Sequence, residues 1–212
     1  NDVIVALFSA GDEHAHLIVR ELRLPRAVAA IFIGAALAVS GAIMQGMTRN
    51  PLASPSILGV TSGASFFIAI AFALFPGISY SGLTFFSFVG AASGAVLVFG
   101  LTSLSRGGLT PVKLALAGAA ITSLLSSLST AIGLKYNIAK DISFFFAGGV
   151  SAVQPDQVKF LLPFVIGGLL LALFLSGSIT LLSLSEEVAK SLGQRTSLVK
   201  FLGTVSVILL TG

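Results

Sequence analysis

Long apolar stretches divided by short polar punctuation set the pattern of this chain. Between Arg26 and Arg49 lie 22 uncharged residues, Ala27 to Thr48. At 1.5 Å per residue such a helix is roughly 33 Å long, enough to cross a hydrocarbon core of about 30 Å. Pro25 suits a first helical turn, where its missing N–H is not needed, so a first span is expected over about Pro25 to Thr48. Arg49 to Ser56 reads as a turn, because Asn50-Pro51 and Ser54-Pro55 bias the backbone away from helix. No charge occurs from Pro51 to Ser105, too long a run for one span. Pro76-Gly77 and the residues up to Gly82 divide it into about Ile57 to Phe75 and Leu83 to Leu104. A turn over Arg106 to Lys113 leads to a fourth span, Leu114 to Leu134. Phe160 to Leu182 makes a fifth, and Leu198 onward begins a sixth. The fold class is therefore all-α: a polytopic transmembrane helical bundle of about five full spans plus the start of a sixth.

Two connections carry structure of their own. Tyr136 to Lys159 reads as an extramembrane loop holding a short helix over Ile142 to Val150. Ser183 to Arg195 carries helix signals at both ends. Ser183 and Glu186 have capping-box spacing, Glu186 and Lys190 pair at i,i+4, and Gly193 can end the helix. A helix this short is marginal alone in water. It must rest on its own spans or on a partner.

The faces of two spans are readable. At about 100° per residue, Ala27, Ala30, Gly34, Ala38, Gly41 and Gln45 form one stripe, with Phe32, Val39 and Ile43 opposite. Small residues admit a neighbouring backbone in lipid, so the stripe is expected to be the packed side. The Gln45 amide should then point at protein or a cavity, as a satisfied packing amide or as part of a transport path. Gly59/Gly63 and Gly90/Gly94 are G-x-x-x-G pairs and read as close helix contacts. On the fourth span Thr122, Ser126 and Ser129 share a side flanked by Ser123, Ser127 and Thr130, while Leu114, Ile121, Leu125, Leu128 and Ile132 lie opposite. These hydroxyls either bond back to i−4 carbonyls or a neighbouring helix, or form a weakly polar wall.

Composition agrees with the pattern: 55% of residues are hydrophobic and 9% charged, against about 25% charged in soluble domains. The net charge of +4 is not a nucleic-acid footprint, because Lys and Arg stand singly between apolar runs. There is no cysteine. His14 and His16, the two histidines, follow an apolar piece, Val3 to Ala10, too short to span. They read as loop residues that could hold a metal only weakly without further ligands. No G-x-x-x-x-G-K-[ST] occurs, so this chain does not bind ATP by a P-loop. The spans lack the ionisable groups that a proton- or ion-coupled carrier keeps at membrane depth, and no histidine stands near a span serine to act as its base. An enzyme is not expected. Arg23 and Arg26 sit at the expected start of span one, where the helix dipole disfavours cations by roughly 0.3–1 kcal/mol. Snorkelling to headgroups or an acidic partner would offset this. Lysines and arginines divide six to six between the two sides, so charge does not set the orientation.

Arg23-Leu24-Pro25-Arg26, Ser40-Gly41-Ala42 with Gln45, Asn50-Pro51-Leu52-Ala53 with Pro55, and Leu58-Gly59 with Gly63-Ala64 together resemble the FecCD family. These are permease subunits of bacterial ABC importers for ferric siderophores, haem and cobalamin. The resemblance covers roughly residues 20 to 212. It implies a multi-pass protein of the bacterial cytoplasmic membrane, partnered by an ATPase subunit that binds the ATP, an extracellular substrate-binding lipoprotein and a second permease subunit, the same or different. It implies that Arg23 and Arg26 dock the binding protein, that the helix with Glu186, Glu187, Ala189, Lys190, Leu192 and Gly193 couples to the ATPase in the cytoplasm, and that the fourth span, with Thr122, Ser126 and Ser129, borders the path, which Gln45 would join on the transport reading of its amide. No cofactor or metal is expected in the chain itself. Residues 1–212 would be one permease domain, incomplete at both ends, since the family commonly has about twice as many spans. The stretches Gln45 to Asn50 and Arg106 to Pro111 look most like permeases for ferric hydroxamate siderophores. The rival reading is a secondary transporter or facilitator of another small solute.

Overall fold

The computed structural model describes residues 18–104 and 111–212. The expectations for Val3 to Ala10, for His14 and His16, and for most of the turn after Leu104 lie outside the described residues. Eight α-helices follow in order: α1 (Leu24–Thr48), α2 (Val60–Leu74), α3 (Tyr80–Ser103), α4 (Pro111–Lys135), α5 (Ala139–Gly148), α6 (Pro155–Leu184), α7 (Glu186–Ser191) and α8 (Thr196–Thr211). The described residues contain no strand. Among the described residues four helical runs are long and apolar enough to cross a membrane: Glu21–Thr48, Tyr80–Ser103, Val112–Lys135 and Pro155–Leu184. The second expected span is shorter, and the sixth is present as the expected start. Pro55 opens a 3₁₀ turn, Pro55–Leu58, at a first position where its missing N–H is not needed. Gly59 takes φ +69°, and α2 has only 15 residues. α8 has 16. The loop helix lies at Ala139–Gly148, slightly earlier than expected.

Pro25 stands in the first turn of α1, as expected, but helical structure precedes it. Helical structure already runs from Ile18, as a π-helical turn over Ile18–Arg23 that feeds α1 directly. Pro25 thus lies inside a continuous helical run. A proline there removes a bond to the i−4 carbonyl and crowds it, and a wider π turn is a way of absorbing that misfit. Arg23 and Arg26 are therefore more than a turn inside the helix, and the dipole argument for them loses its force.

Two groups of helices meet in one core. α1, α6 and α8 pack together, and α2, α3 and α4 pack together, with α8 also touching α3. The shared core holds Ala36, Ile43 and Met44 of α1, Ala64 of α2, Ala91 and Ala95 of α3, Leu175, Ile179 and Leu182 of α6, and Val199, Val207 and Leu210 of α8. Ser206 of α8, fully buried, donates to the Gly168 carbonyl of α6 at 3.0 Å. Backbone touches backbone within the second group. A Cβ on Gly63 would run into the Gly90 carbonyl, one on Gly94 into the Gly59 carbonyl, and one on Gly118 of α4 into the Ile57 carbonyl. The two G-x-x-x-G pairs thus pack on each other, as α2 against α3.

Candidate translocation path and coupling region

α4 is seated on α2, α3 and the 3₁₀ turn by Ala117, Gly118, Ile121 and Leu125, which are buried. The hydroxyls lie off that seam. Ser123, Ser126, Ser127 and Thr130 are exposed, whereas Thr122 and Ser129 are partly covered. Thr122 pairs with the Ser62 hydroxyl of α2 at 3.3 Å. Ser129 donates to the Leu125 carbonyl at 2.9 Å, Ser127 to Ser123, and Thr130 to Ser126. Thr122, Ser127, Ser129 and Thr130 therefore bond within the helix or against α2, and the exposed Ser123 and Ser126 keep a polar face open. Leu128, expected on the aliphatic side, is 41% exposed. The seam toward α2 is narrower than the aliphatic stripe, so the stripe's edge faces outward.

Gln45 and its stripe depart from expectation. Ala27, Ala30, Gly34, Ala38 and Gln45 are exposed, while the opposite side of α1 carries the buried Ala29, Ala36, Ser40, Ile43 and Met44. A Cβ on Gly34 or Gly41 would meet nothing within 4 Å. The small stripe is thus not the packed side of α1 among the described residues, because the larger side chains fill the space toward α6 and α8. Gln45 stands on α1, which packs on α6 and α8, whereas Thr122, Ser126 and Ser129 stand on α4, which packs on α2 and α3. The four residues occupy two separate faces of the chain.

The end of α1 is built by its Asn-Pro-Leu-Ala segment. Arg49 takes a left-handed φ of 52° and its N–H returns to the Gln45 carbonyl. The Asn50 side chain accepts from the Leu52 N–H at 3.0 Å, the self-bonding turn that asparagine favours. At the other end, Arg23 is exposed and Arg26 half-buried. The Arg26 Nε is shielded from solvent and has no hydrogen-bond partner among the described residues.

The short helix is present, with a different cap. α6 continues to Leu184, so Ser183 is still helical and its hydroxyl donates to the Thr180 carbonyl at 2.7 Å. Ser185 is the N-cap, extended at φ −166°, and its hydroxyl accepts from the Val188 N–H at 2.9 Å. Gly193 follows at φ +81° and lets the chain leave the helix. Glu186 pairs with Lys190 at 3.0 Å, as expected, and with Lys200 of α8 at 2.7 Å. Hydrogen bonds from Lys200 and then Lys190 hold its carboxyl down at about 2. Lys200 stands fourteen residues away, and no local spacing signals it. Ala189 is fully buried, whereas Glu187, Val188, Lys190, Leu192 and Gly193 are exposed. α7 therefore rests on its own spans through Ala189 and Glu186 and turns an apolar and charged face outward. Among the described residues no group of three His, Cys, Asp or Glu side chains could hold a metal ion.

The profile of the FecCD transport family matches residues 1–212, the whole chain. The chain belongs to this family. The iron(3+)-hydroxamate import system permease protein FhuB of Bacillus subtilis (strain 168) is 57% identical over 198 residues, covering 93% of this chain and 52% of that protein. The iron-uptake system permease protein FeuB of the same organism is 46% identical over 197 residues, covering 93% of this chain and 59% of that protein. A solved structure described as a metal-chelate type ABC transporter in an inward-facing conformation superposes with a TM-score of 0.79 at 29% identity, covering 99% of this chain and 71% of that one. The chain spans between about half and two thirds of the length of these FecCD-family permeases. Its long apolar helices, with Phe174 83% and Leu173 70% exposed, are those of a multi-pass membrane protein.

Proposed function

We propose that this chain is part of the permease subunit of a binding-protein-dependent ABC importer, moving a ferric siderophore of hydroxamate type across the bacterial cytoplasmic membrane. The observation that carries the reading is α7: a capped single-turn helix, anchored inward by Ala189 and Glu186, with Glu187, Val188 and Leu192 facing out. Such a helix suits a groove in a separate ATPase subunit. The 57% identity to a hydroxamate import permease supports the cargo. The open hydroxyl face of α4 suits the wall of a path toward a second permease subunit, because hydroxyls hydrogen-bond a passing chelate without the desolvation cost of fixed charge. Exposed Arg23 and the unpartnered Arg26 Nε suit acidic residues of a substrate-binding lipoprotein. The chain would supply a path and levers and no chemistry of its own, so it is not an enzyme.

The experiment reconstitutes the full-length permease with its ATPase and binding protein in proteoliposomes. A ferric hydroxamate is expected to stimulate ATP hydrolysis and to accumulate inside only with ATP. Uptake without ATP would favour a facilitator instead. Stimulation by haem or cobalamin but not by a ferric hydroxamate would reject the cargo assignment.

A further inference from the structure

Glu186 opens α7, yet its carboxylate is spent on a different element. Oε2 accepts from the Lys200 ammonium of α8 at 2.7 Å. Oε1 takes Lys190 at 3.0 Å and the Thr196 hydroxyl, also of α8, at 3.4 Å. The Lys200 side chain is 22% exposed and that of Glu186 32%. Both line a small, partly open cavity of about 30 Å³, together with Thr48 and Arg49 at the end of α1, Leu58, Phe99 and Leu182. The pair thus sits where the ends of α1, α6 and α8 converge, unlike its exposed neighbour Glu187.

α7 hangs between two joints. Ser185 alone separates it from α6, serving as the end of one helix and the cap of the next. On the other side Leu192 to Arg195, with Gly193 at φ +81°, leads to α8. Gln194 fastens that connection to α6, its side-chain amide donating to the Ser178 carbonyl at 2.9 Å. Without a further link, a push on α7 could be absorbed at Ser185 and Gly193 and never reach α8.

We propose that Glu186 is a positioning residue: its pairing with Lys200 makes α7 and the base of α8 turn as one body, so that displacement of α7 passes to α8 and to the wall of the cavity beneath α1. The pair is short, partly sheltered and doubled by Thr196, which distinguishes it from an exposed surface pair of little consequence. The physiological meaning rests on the proposed ATPase contact of α7; the mechanical link does not.

The test uses the full-length permease. Spin labels at Leu192 and Phe201, both exposed, report the distance between α7 and α8. A narrow distribution is expected for the wild-type background, and broad ones for Glu186→Gln and Lys200→Gln alike. The double variant should be no broader than either single one, and Lys200→Arg should stay narrow. With the ATPase present in proteoliposomes, the same single variants should transport at least tenfold less per ATP hydrolysed, while Leu192→Cys still cross-links to the ATPase. Unchanged distributions, or additive effects in the double variant, would overturn the proposal. So would loss of the cross-link on Glu186→Gln, which would make Glu186 a docking residue. If Leu192→Cys never cross-links even with Glu186 intact, the ATPase contact fails while the distance data still decide the link.

Discussion

Replacing Gly63 by alanine should loosen the α2–α3 pair. A Cβ there meets the Gly90 carbonyl oxygen head-on, its carbonyl carbon at 2.9 Å and the Gly94 nitrogen at 3.0 Å. All three obstacles are backbone, so no side chain can swing aside and the helices must separate. Overpacking of this kind costs about 1–3 kcal/mol. Alanine recovers up to about 1 kcal/mol over glycine in helix propensity, but three rigid backbone obstacles on α3 place the overpacking cost at the upper end. A net loss of about 2 kcal/mol is expected, or roughly 4–8 °C in melting temperature for a chain of this size. Gly100→Ala is the control: it lies on α3, the partner helix, and its Cβ meets nothing within 4 Å. The assay is thermal unfolding of the purified permease in detergent, followed by size-exclusion chromatography of the heated samples. If Gly63→Ala melts at or above the temperature of Gly100→Ala, the close approach of the two backbones is not what holds α2 and α3 together.

Other expectations follow from the coupling region and α4. Ser185→Ala removes the cap of α7, worth about 1 kcal/mol, and should speed hydrogen exchange at the Val188 amide about fivefold; Ser183→Ala should leave it unchanged, and the opposite ranking would restore Ser183 as the cap. The Glu186 carboxyl is held at about 2, below its ordinary 4.5, so its contribution to stability is present above about pH 4.5 and lost as pH falls toward 2. The gap in melting temperature between the unsubstituted permease and Glu186→Gln should therefore close across that window, and a gap that persists at pH 2 would contradict the lowered carboxyl. On α4, Ser126→Cys should react with a water-soluble thiol reagent in a manner that changes on ATP trapping, Thr122→Cys more slowly because Ser62 covers it, and Leu125→Cys not at all. Equal protection of all three would make the hydroxyls helix glue.

The spans were legible because charge marks their ends: nothing charged separates Arg26 from Arg49, and a helix of that length has few other places to go. The glycine pairs were legible too, since four-residue spacing puts both on one face. The packed side of α1 was not. Both of its faces are apolar, so periodicity finds two stripes without saying which one the chain covers, and Ile43 and Met44 filled the space that the small residues were expected to take. Ser183 and Ser185 present nearly the same signal. The choice between them depends on how far α6 runs beyond its most apolar stretch, which hydropathy does not mark. Pro25 was ambiguous for a related reason, since proline fits both a first turn and a strained interior turn. Lys200 was invisible because its meeting with Glu186 depends on the turn at Gly193. The path residues remain a pattern on α4 and α1 that gains meaning only with a second subunit beside it.

The glycine contacts also set how this half of the molecule can move. Gly63 faces Gly90 and Gly59 faces Gly94, one turn apart on each helix. Sliding α2 along α3 by a turn, about 5.4 Å, would keep a single glycine pair and set Gly59 against Val98. There is no second register to slip into, and Gly118 indexes α4 to the Ile57 carbonyl in the same way. A change of access cannot then arise by shear inside this trio. It has to carry α2, α3 and α4 as a block, together with the 3₁₀ turn at Pro55–Leu58 that Gly118 abuts.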